Sequence, residues 1–183
     1  MKIESDTIEQ ARFGGLALER LIAAIWPEAY RVALSILRDR GMAEDVAQEA
    51  CAAIARSLPV LKDAGAFHAW SYKIVVNHAL AALRGRRHTQ SLDALASQEL
   101  RFDAGDAVDL YAALASLSAV QRAAVLLHYY AGLNSLEIAA ATGLPASSIR
   151  FHLMVARRAL RKALAVAEGH AVRPSDEVLS DVH

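Results

Sequence analysis

Ala146, Ser147, Arg150, Phe151, Met154, Arg157 and Arg158 fall on one side of an amphipathic stretch, opposite an apolar row of Ile149, Leu153, Ala156 and Leu160. These side chains suit contact with a nucleic acid. Guanidinium groups meet phosphates, a serine hydroxyl bonds a base or a phosphate, and Phe151 and Met154 can touch thymine methyl groups. The stretch "EIAAATGLPASSIRFHL", Glu137 to Leu153, has the spacing of two short helices around a turn. Ala139, four residues before Gly143, lets the helices cross closely; the glycine permits the turn; Ile149, six residues after it, locks the angle. A generic helical hairpin has the same outline, and Phe151 and Met154 stand where a DNA reader is usually basic.

Two further clusters could carry chemistry. In "AEDVAQEA", Ala43 to Ala50, helical spacing puts Asp45, Gln48 and Glu49 on one side. Paired carboxylates suggest acid-base work or a metal, but no histidine lies three or four residues from these acids, as a di-metal carboxylate site requires. A solvated helix face, or a docking surface for a basic partner, is the better reading. In "AWSYKIVVNHALAALRGRRH", Ala69 to His88, Trp70 and Tyr72 are interleaved with Lys73, Asn77, Arg84, Arg86 and Arg87. Aromatic, amide and cationic groups together resemble surfaces that hold unstacked nucleotides. The alternatives are core burial of Trp70 and a basic helix end that complements the helix dipole.

Enzyme chemistry has little support. His68, His78 and His88 are ten residues apart, a step that does not keep one helical face. The single cysteine, Cys51, sits among alanines as a small buried side chain would, and it excludes an internal disulfide. No glycine-rich phosphate loop or nucleophile elbow is present, so no catalytic residue, metal or cofactor is expected. The absence of an apolar run long enough to span a bilayer predicts a cytoplasmic chain without stable membrane insertion.

Positioning these groups takes helices. The 183 residues are 55% hydrophobic with nine glycines and four prolines, a helical composition, and nothing alternates like a strand. Apolar residues at three- and four-residue steps predict a helix over Leu18 to Leu37, bent or bounded at Pro27, with "RDRG", Arg38 to Gly41, as a basic last turn and glycine stop. A second helix is expected over Ala43 to Ser57, with Glu44 and Asp45 in its first turn, and a third over Phe67 to Arg86. Periodicity fades from Thr89 to Asp106. Helices resume with "VDLYAALASL", then "SAVQRAAVLLHYYAGL" capped by Ser118 and stopped at Gly132, then the two helices around Gly143. The fold class is therefore all-α: a flexible start over 1–14, a helical domain over 15–90, a linker over 91–106, a second helical domain over 107–166 and a mobile tail over 167–183.

Net charge is zero, but not evenly so. Residues 12–90 hold eleven Lys/Arg against seven Asp/Glu, a surplus of +4; residues 91–115 carry −4; residues 116–168 carry +4. Two basic blocks joined by an acidic linker can place two positive surfaces on one polyanion while the pI stays neutral.

"AEDVAQEA", then "FHAWSYKIVVNHALAALRGRRH", then "LSAVQRAAVLLHYYAGLNSLEIAAATGLPASSIRFHLMVARRALRKAL", in this order and across this linker, resemble the sigma-70 family. The short two-domain form is similar to its extracytoplasmic-function, group IV, members, over about residues 15 to 165. The resemblance implies a sigma domain 2 over 15–90 and a sigma domain 4 over 107–166, in a non-catalytic subunit that binds core RNA polymerase, recognises a promoter and helps open it. By the same resemblance Asp45, Gln48 and Glu49 match the helix that docks on the polymerase β′ clamp helices. Trp70, Lys73, Asn77, Arg84, Arg86 and Arg87 match the surface that holds the minus-ten element as it melts. Ser147, Ser148, Arg150, Phe151, Met154, Arg157 and Arg158 fall on the helix that reads the minus-thirty-five element. Partners implied are core polymerase through its β′ clamp helices and β flap, promoter DNA, and an anti-sigma factor. The competing reading is a sigma-like decoy or adaptor that binds an anti-sigma factor without initiating transcription.

Overall fold

The computed structural model describes residues 3–89, 114 and 116–171, with side chains up to residue 86 in the first stretch and 162 in the last. Every element among them is helical: α1 (Ser5–Ala11), α2 (Gly15–Leu37), α3 (Arg40–Ser57), short 3-10 turns at Leu58–Val60 and Ala64–Ala66, α4 (Phe67–Thr89), α5 (Ala119–Tyr129), α6 (Ser135–Thr142) and α7 (Ala146–Ala171).

Helices α2, α3 and α4 form the first block around Leu21, Ile36, Ile54, Leu58 and Val76, all essentially buried. Ala33, Ala43, Ala47, Ala50 and Ala79 have no exposed surface; side chains this small let three helices approach closely. The start of the chain differs from its reading as flexible. Residues 5–11 form α1, whose Ile8 and Ala11 are buried against the bundle. The pattern there is two apolar residues three apart, too short for periodicity to register.

Pro27 neither ends nor bounds α2, which runs through it. Proline cannot donate to the carbonyl four residues back, but Leu21, Ile25, Ala29 and Val32 are buried on both sides of it and carry the helix across.

The joint that follows also departs from the sequence reading. Arg38, not Gly41, ends α2: it takes the left-handed conformation with φ 58°, and its N–H donates to the Leu34 carbonyl at 2.8 Å. Asp39 then caps α3, its carboxylate accepting from the Met42 N–H at 3.0 Å. Gly41 therefore lies inside α3, and Glu44 and Asp45 lie beyond its first turn.

The second block packs α5, α6 and α7 around Leu127, Ile138, Ile149 and Ala156. Ser118 caps α5 as its sequence position predicts, with Gln121 reaching back to the Ser118 N–H at 2.8 Å. Asn134 and Glu137 make the same reciprocal pair at the start of α6, at 3.1 and 2.7 Å. Gly143 ends α6 with φ 73°, its N–H on the Ala139 carbonyl at 2.9 Å. That left-handed φ is what only glycine adopts without strain. The Pro145 carbonyl accepts from the Ile149 N–H at 3.0 Å and opens α7. This helix continues to Ala171, so residues 167–171 are helical rather than tail. The linker over 91–106, most of the helix expected from "VDLYAALASL", and the tail beyond 171 lie outside the described residues.

Cys51 is 4% exposed, and burial raises its thiol above the ordinary range. Since the thiolate is the reactive form, maleimide labelling of the native chain is expected to be slower than in urea by about a hundredfold or more, as modification must wait for opening of the core. Labelling rates followed by mass change check this, and equal rates would place Cys51 at the surface.

Candidate functional site

The acidic face of α3 follows from what the helix buries. Val46, Ala47, Ala50 and Ile54 turn into the core, which leaves Asp45, Gln48 and Glu49 exposed on one side. A Glu49 carboxylate oxygen lies 3.6 Å from His78 Nδ1 on α4. Among the described residues no group of three or more His, Cys, Asp or Glu is placed to hold a metal.

On α4, Trp70, Lys73, Asn77 and Arg84 are separated by three, four and seven residues, steps that keep a single stripe. Trp70 is half-buried, its ring 6.0 Å from Phe67 at 46°, so it is anchored at one edge without being lost to the core. Lys73 and Asn77 are likewise half-buried, and Arg84 is exposed. Arg86 stands apart from them. Two residues beyond Arg84, it points to the other flank, with its guanidinium 3.3 Å from the Asp39 carboxylate and 3.3 Å from Met42 Sδ. The Arg87 side chain lies outside the described residues. Tyr72 belongs to the core. It is 5% exposed and donates its hydroxyl to Glu28; burial first, and that hydrogen bond second, raise its phenol and keep it protonated.

The second surface is the outer face of α7. Ile149, Leu153 and Ala156 are buried against α5 and α6. Ser147, Arg150, Phe151, Met154, Arg157 and Arg158 are exposed as a consequence, and Ser148 is half-buried. Phe151 and Met154 are each 58% exposed, large apolar surfaces presented to solvent between arginines.

Arg157 is held in place by α5. Its Nε donates to the Tyr129 hydroxyl at 2.8 Å and its carbon centre lies 5.7 Å from the Tyr129 ring. His128 completes the cradle. Its Nδ1 is 2.8 Å from the Leu133 carbonyl, which only accepts, so Nδ1 carries the proton and Nε2 accepts from Arg157 at 3.0 Å. The side chain is thus oriented before any ligand arrives, which lowers the entropy lost on binding. Nothing in the sequence marks this cradle, because 28 and 29 residues separate its members.

Another residue escaped the sequence reading altogether. Arg122, on α5, is 7% exposed.

The family model for sigma-70 region 2 matches residues 21–89, and that for sigma-70 region 4 matches residues 107–160. The chain belongs to the sigma-70 family. Its two-region organisation is of the extracytoplasmic-function, group IV, type. Helices α2 to α4 lie in region 2 and α5 to α7 in region 4, so the acidic face and the Trp70 stripe share one region and the outer face of α7 occupies the other. The chain is 31% identical over 161 residues to the probable RNA polymerase sigma factor RfaY of Xanthomonas campestris, covering 81% of this chain and 40% of that protein. It is 32% identical over 148 residues to the ECF RNA polymerase sigma factor SigE of Mycolicibacterium smegmatis, covering 74% of this chain and 57% of that one. The match thus spans about half the length of these two sigma-70 relatives. The fold is similar to that of the sigma factor RpoE from Bartonella quintana, solved in complex with the anti-sigma factor NepR, with a TM-score of 0.60 at 22% identity over 81% of this chain and 97% of that one. Among the described residues no helix is long and apolar enough to cross a membrane.

Proposed function

We propose that this chain directs core RNA polymerase to its promoters and helps open them, as an extracytoplasmic-function sigma factor. Asp45, Gln48 and Glu49 dock on the β′ clamp helices, and region 4 engages the β flap. Trp70, Lys73, Asn77 and Arg84, with Arg87 at the end of α4, hold the minus-ten element as it melts, while Arg86, turned to Asp39 on the other flank, braces the start of α3 instead. Opening DNA without a nucleotide-driven motor requires extruded bases to be trapped, and an aromatic ring, an amide and cations along one stripe suit that task. Ser147, Ser148, Arg150, Phe151, Met154, Arg157 and Arg158 read the minus-thirty-five element.

The observation that carries this reading is the outer face of α7. Three buried residues fix the helix so that serine, arginine, phenylalanine and methionine side chains project together into solvent. Met154 and its neighbour Val155 stand where the family usually carries basic residues, so minus-thirty-five binding loses less affinity with added salt, by a slope of about 0.9 for each missing phosphate contact. An anti-sigma partner is part of the proposal, supported by the fold shared with a sigma factor solved in such a complex.

The test is transcription from fragmented genomic DNA by sigma-free bacterial core polymerase plus this protein, with transcripts sequenced from their 5′ ends. Discrete start sites sharing an upstream pair of elements are expected. Core binding with no start sites would turn the reading to a decoy for an anti-sigma factor, and no core binding would remove it.

A further inference from the structure

An arginine carries its N–H donors in a rigid plane, and the cradle on α5 engages those of Arg157 selectively. Its Nε donates to the Tyr129 hydroxyl at 2.8 Å and its Nη2 meets His128 Nε2 at 3.0 Å. These two nitrogens share one edge of the guanidinium, its side edge. The far end, Nη1 with the second N–H of Nη2, carries no bond among the described residues, on a side chain that is exposed. Helix α5 therefore decides which fork of Arg157 faces outward.

The cradle is itself braced. The rings of His128 and Tyr129 meet edge to face, with centroids 4.8 Å apart at 74°. Leu133 lies in the turn that closes α5, where Gly132 takes φ 72° and the Leu133 N–H donates to the Leu127 carbonyl at 3.0 Å. That turn fixes the Leu133 carbonyl, which holds the His128 proton on Nδ1 and leaves Nε2 as the acceptor. Position along α7 gives the outward fork its target. Arg157 is eleven residues past Ala146, about 16 Å along the axis at 1.5 Å per residue. Base edges are reached by the first turns of a recognition helix, so a fork this far along meets the backbone. A phosphate offers two oxygens to such a fork.

We infer that His128 and Tyr129 are positioning residues for minus-thirty-five binding, which aim the end fork of Arg157 at one phosphate of the element without touching DNA themselves. The inference rests on the proposed function and divides its recognition face in two. Arg157 sets register and contributes the same to every sequence, while base choice is left to the side chains nearer the start of α7. A freely rotating arginine loses its rotamers on binding, and the cradle has already removed that freedom. Changes at positions 128 and 129 therefore alter promoter affinity and leave promoter choice alone.

Nitrogen-15 relaxation of the arginine Nε groups in the full chain tests the aim without DNA, the Arg157 signal being assigned by its loss in Arg157→Ala. An ordered Arg157 Nε is expected. Tyr129→Phe, which removes only the hydroxyl from a ring that is 55% exposed, is expected to loosen it while sparing the core. The holoenzyme with core polymerase tests the consequence, on a duplex carrying the upstream element from the start-site map, by fluorescence anisotropy over a range of salt. Tyr129→Phe is expected to weaken binding by about two- to tenfold, the scale of one hydrogen bond, with the salt slope unchanged because the cation remains. His128→Ala is expected to follow it in both readouts. Arg157→Ala is expected to lower the slope by about 0.9, and to weaken the element and its single-base variants by the same factor. In the Arg157→Ala background Tyr129→Phe is expected to do nothing more, an outcome that a merely structural tyrosine would not give. An equal loss from Tyr129→Phe with and without Arg157, or an Arg157 Nε as mobile in the parent chain as in Tyr129→Phe, overturns the inference. So does a loss confined to one base pair in Arg157→Ala, which would make Arg157 a base reader. A start-site map that yields no element overturns the proposed function instead, and the relaxation of Arg157 still decides whether α5 holds it.

Discussion

Replacing Ile149 by alanine is expected to unfold region 4 while region 2 stays folded. Ile149 is 1% exposed and sits where α7 crosses α6, packed with Ile138 and Leu127, which have no exposed surface. Deleting three carbons from such a site removes their transfer free energy and leaves a cavity that packed neighbours on the facing helices collapse only partly to fill, at about 2–5 kcal/mol. The described part of the second block is 57 residues, 114 and 116–171, and a block of that size has a total stability of only about 3–8 kcal/mol. The loss therefore takes most of it. Heating followed by far-ultraviolet circular dichroism should show an early transition absent from the parent chain, and binding of minus-thirty-five DNA should fail with it. Ile149→Val, which removes one carbon at about 0.5–1.5 kcal/mol, is expected to keep the fold. Phe151→Ala, on the exposed face, is expected to leave melting unchanged yet weaken DNA binding. A single unshifted transition in Ile149→Ala would mean that the crossing is not where region 4 gets its stability.

The same contrast explains how far the sequence could be read. Region 4 was legible because three independent local signals agree: Ala139 and Gly143 at the turn, the apolar row beginning at Ile149, and Ser118 as a cap. The Asn134 and Glu137 pair carries an equally local signal, an asparagine three residues before a glutamate, and it could have fixed the start of α6 from sequence. The joint between α2 and α3 was misplaced for a definite reason. Gly41 is the usual residue for a left-handed stop, and only packing on both sides of the turn can force Arg38 to take that conformation instead. Tyr72 and Trp70 are two residues apart in an aromatic and basic run, and composition cannot tell which one faces Glu28. Arg122, 86 residues from the Ile36 carbonyl to which it donates, has no local signature at all. Side-chain types and helical faces are written locally; the partners that cross between regions are not.

Reversing the acidic face of α3, with Asp45→Lys and Glu49→Lys together, is expected to abolish core-dependent initiation with almost no change in stability. Both residues are exposed, and the core residues that shape α3 lie on its other side. Surface changes of this kind cost no more than about 0.5 kcal/mol, and the distant His78 contact of Glu49, at 3.6 Å, adds little. Binding is a different matter. On docking, two carboxylates that meet cations become two cations that meet cations, and the loss of a desolvated charge pair alone is about 2–5 kcal/mol at an interface. Core affinity should fall at least about thirtyfold, and most steeply at low salt, where repulsion between like charges is least screened. Net charge by itself could mimic part of this, so Glu4→Lys with Glu19→Lys is the control. It makes the same change of charge at exposed positions on the start of α1 and on α2. Competition for core polymerase against a labelled reference sigma factor measures both doubles. If the two fall together, the α3 face is only part of a general field. If the α3 double alone loses core while melting as the parent does, then the side chains that α3 leaves in solvent are there because polymerase, rather than the fold, requires them.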